Sequence, residues 1–321
     1  MRVLVTGGAG FVGINLVEAL LRRGDAVTVF GLDDLPPRAA ALLPTLPGTL
    51  RPLRGDVRDV DALREAVAGA EAVFPFAAIT AGPEREAEAP ELVVEVNLLG
   101  LLATLRAARD AGTVRRVILP SSSAVYGESA YRHDVLDEVT TPPVPISAYG
   151  VTKYAVERMG LRLCGAWGLD AVAARIGPAF GPWERLTGVR DTPSPFLALG
   201  EAARRGEAVV LPDGPLPAVD WVYAPDLAAG LLALLDYPAP PHRVVNLGPG
   251  SDESGLLPAV AAALAERRPA FRWTRGPDPT IRPNDPRRRG IMAVDRARDF
   301  GWAARRTGGA AAAAYADWLG G

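Results

Sequence analysis

Residues 2–13, which read RVLVTGGAGFVG, decide the fold of this chain. The stretch begins with the apolar run of a buried strand and continues into a helical pattern. Between the two, Gly7 allows a tight turn and Gly10 lets the backbone approach a pyrophosphate, while Gly13 lets the helix pack closely on the strand. The stretch therefore predicts a strand–turn–helix unit that binds a dinucleotide.

The start of the predicted helix is the candidate site for the phosphates of that dinucleotide. The first N–H groups of a helix have no acceptor within it, and the positive end of the helix dipole lies there. Phe11 and Val12 occupy these positions, so we expect both to contact the cofactor together with the three glycines. Glycine turns also occur without a cofactor, but this one lies at the start of a chain in which strands and helices alternate.

The first 176 residues alternate apolar strand patterns with amphipathic helical patterns. Strands separated by helices imply right-handed crossovers and a parallel sheet that is covered on both faces. We therefore predict an α/β fold, a Rossmann-type doubly wound parallel sheet, over residues 1–176. The predicted strands are 2–5, 26–30, 72–74, 114–119 and 171–176, and the predicted helices are 12–23, 60–69, 91–111 and 147–167.

The second part of the chain, residues 177–321, is richer in Pro, Gly and Arg and has a less regular pattern. We predict that it forms a smaller, discontinuous, substrate-binding C-terminal lobe, and that residues 218–250 partly return to the first domain. Its predicted strands are 208–211 and 244–247, and its predicted helices are 226–236, 255–267 and 309–319.

The composition excludes several classes of function. The chain has 35 Lys and Arg against 37 Asp and Glu, so it lacks the basic excess typical of nucleic-acid binding. Its one cysteine, Cys164, and two distant histidines, His133 and His242, predict neither a disulfide nor a metal site. No signal-peptide pattern and no apolar run long enough for a bilayer is present. We expect a cytoplasmic enzyme with no nucleic-acid or membrane partner.

The residues after the second strand bear on the choice of cofactor. Folds that prefer NAD place an acid at the end of this strand, on the ribose 2′-hydroxyl. Here Gly31 follows the strand, and Asp33 and Asp34 come slightly later. Both carboxylates would repel a 2′-phosphate, and Arg38 is the only nearby cation that could accept one. The pattern favours NAD, with Asp33 as a cofactor residue, and does not exclude NADP.

Residues 55–59, which read GDVRD, follow a short apolar run. The carboxylate of Asp56 could accept a hydrogen bond from the adenine amino group. An aspartate in this segment could instead cap the next helix, a position that Asp fills well. The two roles are compatible within one segment.

A tyrosine and a lysine form the candidate reactive pair. Tyr149 and Lys153 are four residues apart on a predicted helix, so they share one face. A nearby cation favours the phenolate and lowers the pKa of the phenol, which lets a tyrosine exchange a proton with a substrate hydroxyl. Residues 121–123 are all serines and directly follow a predicted strand, where ligands of parallel sheets bind. A serine there can bind the reacting oxygen.

With these motifs, the sequence resembles the NAD-dependent epimerase/dehydratase family, the extended short-chain dehydrogenases. The resemblance extends over most of the chain. It is carried by Gly7–Gly13, Phe76–Ala78, Val96–Asn97, Ser121–Gly127, Tyr149 with Lys153, and Arg175–Pro182.

The resemblance implies a role for each site residue. Tyr149 is the acid/base, Lys153 holds the nicotinamide ribose and tunes Tyr149, and Ser122 or Ser123 supports the substrate hydroxyl. It also implies homodimers, formed through the helices near 91–111 and 147–167. The other implied cofactor residues are Val57, Ala77, Ala78, Asn97 and Pro178, and Thr80 is a further implied substrate residue.

The chain departs from the family in its substrate-binding segments. The resemblance implies an arginine for a substrate diphosphate where this chain has Val219. Arg185 and Arg190 lie in an unusual loop, and Arg282 begins a basic segment that includes 287–289. We predict a sugar substrate whose anionic group, a diphosphate or a carboxylate, is held by these arginines, although a solvated charged loop is an equal alternative for residues 183–192.

Three outcomes remain open at the level of the sequence. The first is an epimerase or dehydratase of a nucleotide sugar or related anionic sugar, in which hydride passes transiently to tightly bound NAD. The second is a net NAD-dependent dehydrogenase of a sugar or sugar acid. The third is a non-catalytic NAD(P) sensor, which the complete Ser, Tyr and Lys set disfavours.

Overall fold

A seven-stranded sheet forms the centre of the computed structural model, which describes residues 1–320. All of its strand pairs are parallel, and their order is β11-β7-β5-β4-β1-β2-β3. The prediction of a doubly wound parallel sheet is confirmed. The strands, including the short ones outside this sheet, are β1 (Arg2–Thr6), β2 (Ala26–Gly31), β3 (Thr49–Arg54), β4 (Ala72–Pro75), β5 (Arg116–Ser122), β6 (Val135–Leu136), β7 (Asp170–Ile176), β8 (Ala179–Phe180), β9 (Ala208–Pro212), β10 (Val222–Tyr223), β11 (Val244–Leu247), β12 (Arg272–Gly276) and β13 (Ile291–Met292).

The strand order creates the crevice in which the site lies. From β1 the chain proceeds through β2 to β3, and then returns to place β4 on the other side of β1. The connections that leave β1 and β4 therefore diverge at the carboxyl ends of these strands. In open α/β sheets, this switch point is where ligands bind.

Helices cover both faces of the sheet because successive strand residues point to opposite sides. Val3 and Val5 pack with helices α1 and α9 on one face, whereas Leu4 packs with α3, α6 and α7 on the other. The helices are α1 (Phe11–Arg22), α2 (Pro37–Leu42), α3 (Val60–Val67), α4 (Pro83–Glu88), α5 (Pro90–Val94), α6 (Gly100–Ala111), α7 (Ala148–Ala166), α8 (Pro195–Arg205), α9 (Ala224–Asp236), α10 (Leu256–Arg267), α11 (Asp295–Asp299) and α12 (Gly308–Gly320).

Two local features differ from the sequence prediction. The helix predicted over 91–111 is divided, because the π-helical segment Glu95–Leu99 separates α5 from α6. β3 was not predicted as a strand, since it lies at the sheet edge and alternates only weakly between exposed and half-buried residues. Its position at the edge also tolerates Pro52, which cannot donate a hydrogen bond to a neighbouring strand.

The C-terminal part of the chain has a hydrophobic core of its own. It is built from α8, α10 and α12 and from the two-stranded sheet of β9 and β12. The alanine-rich α12 is docked through Ala311, Ala312 and Tyr315, which are buried. Meanwhile β11 pairs with β7 in the main sheet, and α9 packs against α1. A division of the chain at residue 176, with residues 218–250 returning to the first domain, is our proposal.

Candidate active site

The glycine-rich turn forms a cradle that side chains would fill. Gly7 has a φ of +65°, and a Cβ there would lie 2.7 Å from the Cα of Ala77. A Cβ on Gly13 would lie 2.4 Å from the carbonyl oxygen of Gly7. The side chain of Thr6 accepts a hydrogen bond from the N–H of Ala77 at 3.2 Å, which ties the turn to the segment after β4. Only glycine fits these positions, as the sequence predicts.

The N-terminus of α1 is open to an anion. Gly10 is its N-cap residue and provides no side-chain cap, and the first turn contains no acidic residue. The first N–H groups of the helix, on Phe11 and Val12, therefore have neither an intrahelical acceptor nor a neutralising carboxylate. A pyrophosphate suits this arrangement of donors and helix dipole. The residues present thus fit a dinucleotide cofactor.

The candidate catalytic residues converge on the carboxyl end of β5 from two directions. Ser122 ends the strand, and its hydroxyl accepts a hydrogen bond from the N–H of Ala124 at 3.2 Å. Helix α7 begins nearby with Ser147 as its N-cap residue, which accepts from the N–H of Gly150 at 3.0 Å. Tyr149 lies in the first turn of α7 and Lys153 one turn later. The N-cap therefore fixes where the phenol enters the site.

Burial controls the ionisation of this pair. Desolvation raises the pKa of Tyr149, and the neighbouring hydroxyl of Ser122, the charge of Arg190 and the hydroxyl of Thr80 oppose that rise. Burial lowers the pKa of Lys153 to about 8. The sequence predicted a lowered phenol pKa, but the Lys153 ammonium lies 5.6 Å from the centroid of the tyrosine ring and is not among the groups that shift this pKa. Before the cofactor binds, Tyr149 is therefore protonated near neutral pH.

The π-helical segment supports the site from behind. Asn97 lies in this segment and is buried. Its side chain accepts from the N–H of Ile79 at 2.7 Å, donates to the Ile79 carbonyl at 3.0 Å, and donates to the hydroxyl of Thr152 at 3.1 Å. Asn97 thereby fixes the segment after β4, which carries Ala78 and Thr80, relative to α7. It positions the residues that line the site and does not itself line the cavity.

One cavity of about 610 Å³ joins the glycine turn, the reactive pair and the C-terminal lobe. Its walls in that lobe are mostly apolar and include Phe196, Leu216, Trp221 and Leu257. The sequence-predicted residues that line it are Gly7, Gly10, Phe11, Val12, Gly13, Ala78, Thr80, Ser122, Ser123, Tyr149, Lys153, Pro178, Arg185, Arg190, Arg287 and Arg289.

Comparison with known proteins agrees with this geometry. The sequence profile of the NAD-dependent epimerase/dehydratase family matches residues 3–248. This chain belongs to that family. The family member described here is thus an NAD-dependent enzyme of the epimerase/dehydratase type.

Several relatives of the enzyme have named activities. It is 34% identical to the UDP-glucose 4-epimerase of Streptomyces lividans over 261 residues, which cover 78% of this chain and 76% of the relative. The solved UDP-glucose 4-epimerase of Thermus thermophilus, in complex with NAD, is 29% identical with a TM-score of 0.77, over 100% of this chain and 99% of that one. MoeE5 in complex with UDP-glucuronic acid and NAD is 29% identical with a TM-score of 0.77, over 99% and 98%.

Besides Asn97 and Ala77, three predicted cofactor residues lie outside the cavity. They follow the carboxyl ends of β2 and β3, at the same edge of the sheet as the glycine turn. Asp33 is exposed, and Val57 is buried against Gly100. Asp56 binds Arg58 through several hydrogen bonds, which lower the pKa of the carboxyl. The N-cap residue of the next helix is Asp59. A contact from these three residues to the adenosine part of the cofactor stays a prediction.

Two arginines that the sequence offered as ligand contacts bind other groups of the protein instead. Arg282 is exposed, donates to the carbonyl of Pro279 at 3.3 Å, and does not line the cavity. Arg38, the cation proposed to accept a 2′-phosphate, stacks on Trp318 at 4.5 Å from its ring centroid and donates to its carbonyl. Ala77 also lies behind the cavity wall, where its backbone closes on Gly7. The C-terminal helix thus holds the only cation that the sequence offered for NADP.

The arginines of residues 183–192 lie beside the glycine turn. Arg185 donates through Nη2 to the carbonyl of Ala9 at 2.6 Å. Arg190 pairs with the buried Glu184 at 3.2 Å, and its guanidinium lies 5.1 Å from the centroid of the Phe11 ring. These contacts hold both guanidiniums against other segments of the protein, while residues 186, 188, 189, 191 and 192 are exposed. Both arginines line the cavity, where a substrate would bind. Their contact with the substrate stays a prediction.

The sequence did not show where two further residues lie, although Arg289 belongs to the basic segment 287–289 that it singled out. Trp183 has a left-handed backbone with a φ of 69°, although it is neither glycine nor asparagine. Arg289 lines the cavity beside Val219, because its N–H donates to the carbonyl of Ala218 at 3.0 Å. Such placements depend on contacts between distant segments. Within residues 1–320, no group of metal-ligating side chains could hold a metal ion, and no helix is long and apolar enough to cross a bilayer.

Proposed function

We propose that the enzyme epimerises or dehydrates an anionic sugar, most simply a nucleotide sugar, at one secondary alcohol, and that its NAD is regenerated in each cycle. The observation that carries this proposal is the position of Tyr149. Its phenol stands beside the hydroxyls of Ser122 and Thr80 in a cavity that continues to the glycine turn. A substrate alcohol bound there lies within reach of both a proton acceptor and the cofactor.

The proton transfer falls to the side chains of α7 and β5. Ser122 and Thr80 bind the reacting oxygen, and Tyr149 takes its proton and later returns it. The same hydroxyls and the charge of Arg190 favour the phenolate, so they offset part of the desolvation that opposes it. Bound NAD supplies a hydride acceptor for the carbon of this alcohol and a positive ring that further favours the phenolate. Lys153 holds the nicotinamide ribose.

The substrate anion belongs at Arg289 in this proposal. Arg287 is bound by Asp285 at 2.9 Å, and Arg288 is an exposed residue that pairs with Asp134. Arg289 lines the cavity, and its side chain makes no hydrogen bond within residues 1–320. It stands beside Val219, where the family resemblance implies the missing arginine. The apolar wall that includes Trp221 suits a planar base. The solved relatives in complex with UDP-sugars support a nucleotide sugar as the class of substrate.

The test is an incubation of the enzyme and NAD with UDP-glucose, UDP-glucuronic acid and dTDP-glucose. Product is followed by chromatography, and reduced cofactor by its absorbance. We expect a new sugar without net growth of the reduced nicotinamide band. Growth of that band in proportion to product would assign the enzyme as a net dehydrogenase. If no substrate gives either a new sugar or reduced cofactor, the result would contradict the proposal and favour a non-catalytic NAD(P) sensor.

A further inference from the structure

A strap crosses the cofactor side of the cavity. We define the strap as residues 182–192, and its first end is fixed to α1. The side chain of Asn15 donates to the carbonyl of Pro182 at 2.9 Å. The indole N–H of Trp183 donates to Glu18 at 2.8 Å. The strap therefore begins along the helix whose N-terminus forms the phosphate cradle.

The other end of the strap is fixed to the segment after β4. The N–H of Thr80 donates to the carbonyl of Val189 at 2.8 Å, and the N–H of Asp191 donates to the carbonyl of Thr80 at 3.1 Å. Asp191 also accepts from the N–H of Gly82 at 3.0 Å and from Arg85 at 2.7 Å. The strap consequently bridges the β1 side and the β4 side of the crevice at the switch point.

The left-handed turn at Trp183 determines where the strap points its arginines. A φ of 69° is unfavourable for a bulky residue and persists only where the surroundings enforce it. The indole is buried and makes an edge contact with Trp318 at 5.5 Å between ring centroids. Two residues later, Arg185 reaches back to the carbonyl of Ala9. The left-handed turn at Trp183 therefore lies two residues before the arginine that contacts the glycine turn.

One buried nitrogen of the Arg185 guanidinium makes no hydrogen bond within the described residues. Its Nη2 is bound by Ala9, but its Nη1 is buried and has no hydrogen-bond partner within residues 1–320. Burial lowers the pKa of this guanidinium, and the charge of Asp33 opposes that effect only in part. Arg190 differs, because Glu184 balances its charge at 3.2 Å. Arg185 is half-buried as a residue, but its buried Nη1 donor is costly unless an acceptor, best an anion, completes it.

We propose that Arg185 binds the diphosphate of the dinucleotide, so that the strap retains the cofactor between turnovers. This inference rests on the proposed location of NAD at the glycine turn. The free Nη1 is held next to the turn whose helix supplies the uncapped N–H groups of Phe11 and Val12. An arginine and a helix N-terminus together offer the planar donors and the partial charge that a diphosphate requires.

The experiment measures binding of the cofactor-free enzyme to NAD, NADP, ADP-ribose and adenosine by titration calorimetry. In Arg185→Gln, we expect NAD, NADP and ADP-ribose all to bind about 10- to 100-fold more weakly, the effect of losing one charge-assisted hydrogen bond. Adenosine, which has no phosphate, should bind as it does to the wild type. Release of NAD, followed after dilution, should be faster by a similar factor.

Controls separate this role from a structural one. Arg205→Gln removes an exposed arginine of α8 that pairs with Glu207, and it should bind every ligand normally. Arg185→Lys should lie between wild type and Arg185→Gln. Without cofactor, Arg185→Gln should melt near the wild-type temperature, because the loss of the hydrogen bond to Ala9 offsets the removal of an unpaired buried donor.

Other results would overturn the inference. Unchanged NAD binding in Arg185→Gln would show that Arg185 does not bind the diphosphate. Weaker binding of NADP alone would show that Arg185 binds the 2′-phosphate instead. A higher Michaelis constant for the sugar, with unchanged cofactor binding, would show that Arg185 binds the substrate. Each of these results leaves the proposed reaction intact, because that proposal depends on Tyr149 and on the absorbance test.

Discussion

The ammonium of Lys153 lies 5.6 Å from the centroid of the Tyr149 ring, over the ring and one helical turn away. The lysine is buried, and its ammonium has no hydrogen-bond partner within residues 1–320. The pair is therefore prepared for a ligand that supplies the missing acceptors. The hydroxyls of a ribose are acceptors of the required kind.

The phenol of Tyr149 is expected to be essential for turnover. Tyr149→Phe should lower kcat by about 10²- to 10⁴-fold, the usual contribution of a general acid–base group. The affinity for NAD, measured by titration, should change little because the ring remains. Tyr154→Phe, on the same helix and half-buried, is the matched control and should stay active. Near-normal turnover in Tyr149→Phe would refute the assignment.

Lys153 should give the cofactor-free protein a characteristic pH dependence. Its pKa falls from 10.5 in the unfolded chain to about 8 in the fold, so the unfolded state binds more protons between these values. The free energy of unfolding should rise with pH across this window, by up to about 1.4 kcal/mol per pH unit. Below about pH 8 both states are protonated, and this contribution to the slope vanishes.

The comparison with Lys153→Met isolates this effect. Urea unfolding of both proteins at pH 7.5, 8.5 and 9.5 should show the wild type gaining stability relative to the variant as the pH rises. The variant should also bind NAD more weakly, since Lys153 is proposed to hold the ribose. Parallel pH curves would show that Lys153 is not desolvated in the folded protein.

Arg289 is expected to contribute ground-state binding of the substrate anion. Arg289→Gln should raise the Michaelis constant by about 10- to 100-fold, the equivalent of one charge-assisted contact, and leave kcat nearly unchanged. The matched control is Arg288→Gln, because Arg288 is exposed, pairs with Asp134 and does not line the cavity. If both variants keep the wild-type Michaelis constant, the anion lies elsewhere or the substrate is neutral.

A homodimer should form through the helices around α6 and α7. Leu99, the last residue of the π-helical segment before α6, and Val151 on α7 are large apolar residues, yet they are 51% and 52% exposed. We expect light scattering to give the mass of two 33.7-kDa chains. Leu99→Glu should shift the enzyme towards the monomer because it places a charge in the interface. Val139→Glu, at an exposed turn residue, should not. A monomeric wild type would contradict this prediction.

The sequence alone determined the features that depend on neighbouring residues. The glycines at 7, 10 and 13 predict the cradle because the positive φ of Gly7 and the close approach of Gly10 and Gly13 to its carbonyl oxygen belong to the local turn. Short continuous apolar runs separated by amphipathic helical patterns predict the sheet, since strands buried on both faces require such runs. The four-residue spacing of Tyr149 and Lys153 places both on one helical face for the same local reason.

Only the tertiary structure decided which charges face the site. Arg185 meets Ala9 across 176 residues of chain, Arg38 is held by Trp318, and Arg282 turns to solvent. Likewise, the pKa of Lys153 falls because the surrounding segments exclude water, and no spacing of residues encodes that exclusion. Long-range contacts of this kind depend on the packing of whole segments, whereas the local patterns record only what each segment can form by itself.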